Sequence, residues 1–187
     1  MNREEYLKAE RERMFAKVCP PEFSNPIKPE LLHNHEAFNR VATWDGSFPG
    51  PCAFGATDSA KTRAAWAALR PLVVERSKSM MWFPVKKLVA EMARYEANAI
   101  TEEFFKNCSY YDILFVDDAD KFNNQFESEM SAIFSFYDYI YRNRRPCITT
   151  TNRSREGWSD VMGEAFTRRM FDDASFAVNF NKPISCQ

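Results

Sequence analysis

Pro51-Cys52-Ala53-Phe54-Gly55-Ala56-Thr57-Asp58-Ser59-Ala60-Lys61-Thr62 is the stretch on which the fold turns. It opens as a short apolar strand, breaks at a glycine, and passes into Lys61 to Glu75, whose alanines and leucine mark a helix with a compact face. A strand, a tight loop and a helix N-terminus aim several backbone N–H groups and the positive end of the helix dipole at one point. The pattern for a loop that holds phosphate is glycine, four residues, then Gly-Lys-Ser/Thr. Every position fits except Ala60, which stands where the second glycine belongs. Taken alone, the stretch is matched equally well by an ordinary strand–turn–helix.

The apolar run Ile113-Leu114-Phe115-Val116 ends in Asp117-Asp118, 117 − 61 = 56 positions after the lysine. A buried parallel strand delivers its last residues to the carboxyl edge of the sheet, where open α/β folds bind ligands. In a nucleotide site Asp117 would hold Mg²⁺ through water and Asp118 would orient or deprotonate the attacking water; taken alone, two adjacent acids also fit the start of a plain turn. A third strand, Pro146-Cys147-Ile148-Thr149-Thr150, leads to Thr151-Asn152, placing a neutral amide at the same edge. Later come Gly163-Glu164-Ala165-Phe166-Thr167-Arg168-Arg169-Met170, a helix predicted from Asp160 to Met170 with paired arginines. In this order the motifs are more specific than any one of them.

The rest of the chain supports an α/β domain of ordinary size. Hydrophobic residues are 45% and charged residues 27% of 187, so a full core is available without disulfides or metals. Strands are expected at 79–83 and 175–180, and helices at 2–17, 36–44, 84–95 and 126–142. The 2–17 helix reads as exposed. Pro20, Pro21, Pro26 and Pro29 read as an extended arm behind it. The division is therefore 1–45, an N-terminal helix and proline-rich arm, and 46–187, the core. Five scattered cysteines with no C-x-x-C pair fit reduced thiols and a cytoplasmic location, with Cys52 and Cys147 in the core. The charged N-terminus is no signal peptide, and no apolar run approaches the roughly 20 residues that span a bilayer. His33 and His35, two apart, read as a polar loop rather than a metal site.

The segments 111–118, 145–152 and 163–170 resemble the DnaC/IstB-type AAA+ ATPases, which include helicase loaders and transposition helper ATPases. The resemblance covers roughly residues 50 to 180. It implies a three-layer P-loop NTPase core with a five-stranded parallel sheet in the order 5-1-4-3-2; in departure from the family, no separate lid domain is expected. It further implies ATP and Mg²⁺ as ligands. Gly55, Ala56, Thr57, Asp58, Ser59, Ala60, Lys61 and Thr62 would hold the nucleotide, with Thr62 and Asp117 on the metal. Asp118, Asn152 (the sensor-1 position) and Arg169 (the arginine finger, ahead of Arg168) would carry catalysis. The implied partners are a replicative helicase or other partner ATPase, neighbouring copies, and single-stranded DNA through Arg142, Arg144, Arg145, Arg153 and Arg155 with Tyr137, Tyr139 and Tyr141 nearby. No arginine near Asn179-Phe180-Asn181-Lys182 matches the sensor-2 position, and residues 1–17 are the candidate partner-binding element.

Two departures from the family, Ala60 and the expected lack of a helical lid, keep a second reading open, that of an AAA+ adaptor which binds a helicase or DNA without hydrolysing ATP; Asp58 is a lesser concern, since the pattern leaves its position free. A left-handed alanine at 60 costs roughly 1–2 kcal/mol. Asp58, at ~8 Å from a phosphate and an effective dielectric near 20, adds about 2 kcal/mol of repulsion before Mg²⁺ offsets it. Together these correspond to one to three orders of magnitude in nucleotide affinity, at ~1.4 kcal/mol per decade. A small-molecule kinase is a weaker third reading, disfavoured by the Thr-Thr-Asn strand.

Overall fold

The computed structural model describes residues 2–25, 32–93 and 98–181, with the side chains of 93 and 98–101 excepted. Five strands, β1 (Gly50–Phe54), β2 (Met80–Pro84), β3 (Ile113–Asp117), β4 (Cys147–Thr151) and β5 (Ser175–Asn179), form one sheet in the order β2-β3-β4-β1-β5. Every pairing is parallel. This is the expected 5-1-4-3-2 order counted from the other edge.

The helices are α1 (Arg3–Val18), α2 (Pro21–Ser24), α3 (His35–Ala42), α4 (Lys61–Val74), α5 (Val85–Ala93), α6 (Asn98–Ser109), α7 (Glu127–Arg142), α8 (Arg155–Met162) and α9 (Glu164–Arg168), with a π-helical turn at Arg169–Asp173. Alternating strand residues build the two faces. Leu114, Val116 and Cys147 join α5, α7 and Trp158 on one side. Ile113, Phe115 and Ile148 join α1 and α4 on the other, around Trp66. Ala64, Ala65 and Ala68 are fully buried, so α4 lies close against the sheet, as its small residues predict. Pro71 does not end α4, which runs on to Val74. Cys52 and Cys147 are buried free thiols, and burial pushes Cys147 up to about 12.

Four expectations change. The single helix expected from Asp160 to Met170 begins earlier and is broken. Ser154 caps α8 by accepting from Gly157 N–H at 3.2 Å, and Gly163, at φ 81°, takes a left-handed turn before α9. Helix α6 was not foreseen. The arm after Cys19 contains a helical turn, α2, rather than extended chain throughout; Pro26, Pro29, Tyr95, Lys182 and Cys186 lie outside the described residues. Finally, α1 is docked. Phe15 is buried against Trp66, with ring centroids 5.7 Å apart. Arg11 Nε donates to Val74 O at 2.9 Å, and Lys8 and Arg70 pair with Glu75 and Glu12 at 2.7 Å.

Candidate nucleotide site

The strand order sets β3, β4 and β1 side by side, so their C-terminal ends open onto one cleft. Phe54 pairs with Thr151 and Val116 with Thr149, which brings Asp118 level with Thr151 and Phe54. Gly55, at φ 142°, leaves β1 where a Cβ would meet Asn181 N at 3.0 Å. Asn181 closes over the loop, its Oδ1 accepting from Ala56 N–H at 2.9 Å. Asp58 (φ 60°) and Ala60 (φ 70°, ψ 19°) are left-handed. The backbone demand expected at position 60 is therefore real, and an alanine meets it. Ala60 stands at the N-cap of α4 with no side chain satisfying the helix's first N–H groups, which leaves them for a ligand anion.

Lys61 is only 5% exposed. Its three Nζ–H groups are shared among four acceptors, Gly55 O (3.0 Å), Ala56 O (2.6 Å), Ser59 Oγ (3.1 Å) and Asn152 Oδ1 (3.0 Å). Burial lowers its pKa, against the opposing pull of Asp120, Asp118, Asp58 and Asp117. Thr62 Oγ1 donates to Asp117 Oδ1 at 2.8 Å, and Thr150 Oγ1 donates to the same oxygen at 2.5 Å. Burial pushes the Asp117 carboxyl up, and these two hydroxyls pull it part of the way back. Asp118 is exposed, left-handed at φ 54°, and its N–H donates to Thr150 Oγ1 at 3.0 Å.

Residues 57–63, Asp118, Lys121 and Asn152 line a cleft of about 500 Å³, within the ~300–1,000 Å³ of small-ligand sites. Phe23 reaches its rim, with Arg63 stacked on the Phe23 ring at 5.4 Å and donating to Asn25 O at 3.0 Å. The structure thus brings the loop, Asp117, Asp118 and Asn152 together. Sequence reasoning missed Phe23, Asp120, Lys121 and Asn181. Asp120, a third carboxylate two residues past the acid pair, carried a readable signal; Phe23 and Asn181 arrive by long-range packing and carried none.

The outlying arginines are placed differently. Arg169 lies against α7, paired with Asp138 at 3.0 Å and over the rings of Phe134 and Tyr141 at 5.1 and 6.0 Å. Arg168 pairs with Asp173 at 3.1 Å. The five arginines read as one basic cluster are not one patch. Arg142, Arg144 and Arg145 precede β4 and Arg153 and Arg155 follow it, so the strand's length sets them at opposite edges of the sheet. Arg142 pairs with Asp138 at 2.7 Å, Arg144 stacks on Phe48 at 4.7 Å, and Arg145 donates to Cys108 O at 3.3 Å and to Tyr111 O. Arg153 covers Trp158 at 5.5 Å, and Arg155 pairs with Glu164 and Asp172 at 2.5 and 2.9 Å. Tyr137 is buried on Thr149 and Tyr139 is stacked on Phe105, leaving Tyr141 the most exposed of the three tyrosines.

The chain superposes on the crystal structure of the DnaC helicase loader with a TM-score of 0.67, over 87% of this chain and 100% of that one, at 16% identity. The chain therefore has the fold of that helicase loader. The DnaI crystal structure matches similarly, with a TM-score of 0.65 and 15% identity over 86% of this chain and 94% of that one. A structure of the replication initiator DnaA bound to AMPPCP and single-stranded DNA gives 0.60 at 15% identity, over 83% of this chain and 51% of that one. The chain described here therefore spans about half the length of that DnaA chain. No protein-family model matches the sequence, and no curated protein matches it significantly. Among the described residues, no helix is long and apolar enough to cross a membrane.

Proposed function

We propose that this chain is an ATP-binding AAA+ module of DNA replication type, coupling nucleotide binding or hydrolysis to the loading or remodelling of a helicase or other partner ATPase on single-stranded DNA. The observation that carries this reading is the direct linkage of Lys61 to Asn152 and of Thr62 to Asp117 across one cleft. The loop N–H groups and Lys61 would bind the phosphates. Thr62 and Asp117 offer hard oxygen ligands of the kind Mg²⁺ prefers, and the ion would neutralise phosphate charge when bound. Asp118, exposed at the cleft, would orient water, and Asn152 would sense the terminal phosphate through its bond to Lys61. Arg169 would act on a neighbouring copy after leaving Asp138. The helix and arm of residues 1–45 would serve as the partner-binding element beside the 46–187 core. Arg153 and Arg155, on the cleft's edge of the sheet, are better placed to meet DNA beside the nucleotide than Arg142, Arg144 and Arg145. Isothermal titration with MgATP tests the nucleotide claim. Binding that Lys61→Ala abolishes supports it; no heat at several millimolar nucleotide, in wild type and variant alike, sinks it.

The adaptor reading is favoured by one observation: Lys61 is satisfied by four acceptors within the chain, so phosphate must compete for it. Steady ATP turnover that disappears in Asp118→Asn would exclude the adaptor.

A further inference from the structure

Asp120 takes no direct part in the chemistry proposed above, yet its carboxylate is only 11% exposed and fully engaged. Oδ1 accepts from Asn152 N–H at 2.7 Å and from the Thr151 hydroxyl at 3.0 Å. Oδ2 accepts from Asn152 Nδ2 at 3.3 Å. On its other side, Asn152 Oδ1 accepts from Lys61 Nζ at 3.0 Å. A carboxylate has no proton to give, and an ammonium has no lone pair to offer. Held between them, the amide has one orientation: nitrogen toward Asp120, oxygen toward Lys61. That polarity suits the lysine and opposes an incoming phosphate oxygen, which also needs a donor.

We propose that Asp120 is a positioning residue that fixes the polarity of the Asn152 amide, so that Asn152 restrains Lys61 and the cleft discriminates less between ATP and ADP than a freely turning amide would allow. The phosphate part of this inference rests on the nucleotide reading; the restraint on Lys61 does not. Asp120→Asn is the informative change. One oxygen at 120 can still accept from Asn152 N–H and Thr151, but the new NH₂ faces Asn152 Nδ2. Two donors facing each other turn the Asn152 amide around, presenting its NH₂ to the cleft and freeing Lys61.

Two measurements test this, each as a double-mutant cycle with Asn152→Ala. In the first, trace acetylation of the protein without nucleotide is read by mass spectrometry, with Lys61 referred to Lys17. Asp120→Asn is expected to raise Lys61 labelling severalfold, and to add little in the Asn152→Ala background. An equal effect in both backgrounds would mean that Asp120 acts on Lys61 only through its charge, and would overturn the proposal; so would no effect in either. In the second, titration with MgATP and MgADP is expected to show the ATP-to-ADP affinity ratio rising roughly three- to tenfold in Asp120→Asn, the worth of about one hydrogen bond, with no change once Asn152 is alanine. An unchanged ratio in a wild type that binds both would overturn the polarity argument. A wild type that binds neither overturns the nucleotide reading instead, and the labelling cycle then decides the role of Asp120. If Asp120→Asn does not fold, Asn152→Asp probes the same contact: its carboxylate, repelled by Asp120, turns to Lys61, and Lys61 labelling falls below wild type. A rise would count against the proposal.

Discussion

Thr62 Oγ1 donates to Asp117 Oδ1 at 2.8 Å, joining the first turn of α4 to the end of β3. An ion bound between these groups must take over that contact. Asp117→Asn keeps an oxygen that accepts from Thr62 and Thr150 but loses the charge that would hold Mg²⁺. ATP titrations with Mg²⁺ and with EDTA should therefore differ in wild type and converge in Asp117→Asn, with the variant at least about tenfold weaker in the presence of Mg²⁺.

The same substitution has the opposite effect on stability. Burial raises the Asp117 pKa in the folded chain above its unfolded value. Between those two values the folded state binds more protons than the unfolded state, so stability falls as pH rises through the window. At pH 7 the ionised carboxylate is a net cost, and Asp117→Asn should raise Tm. The gain should shrink as pH drops toward the unfolded value of ~3.9. Thermal melts of both proteins from pH 4 to 8, without nucleotide, check the sign; a variant that melts lower than wild type at pH 7 contradicts it.

Ala60 holds φ 70° within the folded chain, where its carbonyl accepts the helical bond from Ala64 N–H at 2.9 Å. The left-handed strain is thus borne mainly in folding rather than in nucleotide binding. Ala60→Gly relieves roughly 1–2 kcal/mol of strain but returns about 0.4–1 kcal/mol through the freer unfolded chain. The expected net is a Tm rise of about 1–4 °C. Any change in MgATP affinity should stay well short of the roughly thirtyfold that about 2 kcal/mol at position 60 corresponds to at ~1.4 kcal/mol per decade. Calorimetry and titration on the same preparations separate the two.

Arg169 joins an ion pair to two aromatic faces while 26% exposed, beside Asp138 at 18%. Arg169→Ala should cost about 1–2 kcal/mol in urea unfolding, above an exposed pair because ring contacts are lost with it. Arg169→Lys should restore only part, since an ammonium cannot lie flat on a ring while pairing with Asp138.

Phe15 is the buried anchor of α1. Phe15→Ala should release α1 without unfolding the sheet, because the other contacts of α1 with α4 are exposed ion pairs and a hydrogen bond at its rim. Hydrogen exchange should speed in α1 while β1, β3 and β4 keep their protection. Loss of protection in those strands would mean that α1 is integral to the core.

The sheet and most of the cleft were legible because each is carried by a short local pattern: an apolar strand followed at once by the residue that matters. Gly55 to Thr62, Asp117 and Asn152 all follow this rule, and parallel strands must deliver such tips to a common edge. The misses come from elsewhere. Gly163 was visible, but a lone glycine inside a helical pattern does not say by itself whether it breaks the helix. Phe23 and Asn181 reach the cleft through packing across more than a hundred positions or from another layer. The arginine cluster looked contiguous because a sequence hides the length of the strand between its halves. Asp120 was overlooked because a third acid beside two others reads as a solvated turn.

The grip of Arg63 on Phe23 and Asn25 ties the start of the chain to the residue immediately after Thr62. A load applied to the α1–α2 corner therefore has a route to residues 57–62 through Arg63, beside the one through Phe15, Trp66 and α4, and neither crosses the sheet. If a protein seated on that corner alters nucleotide affinity by some factor, nucleotide must alter that protein's affinity by the same factor. The message runs equally in both directions, and Arg63 is the shortest wire on which to intercept it.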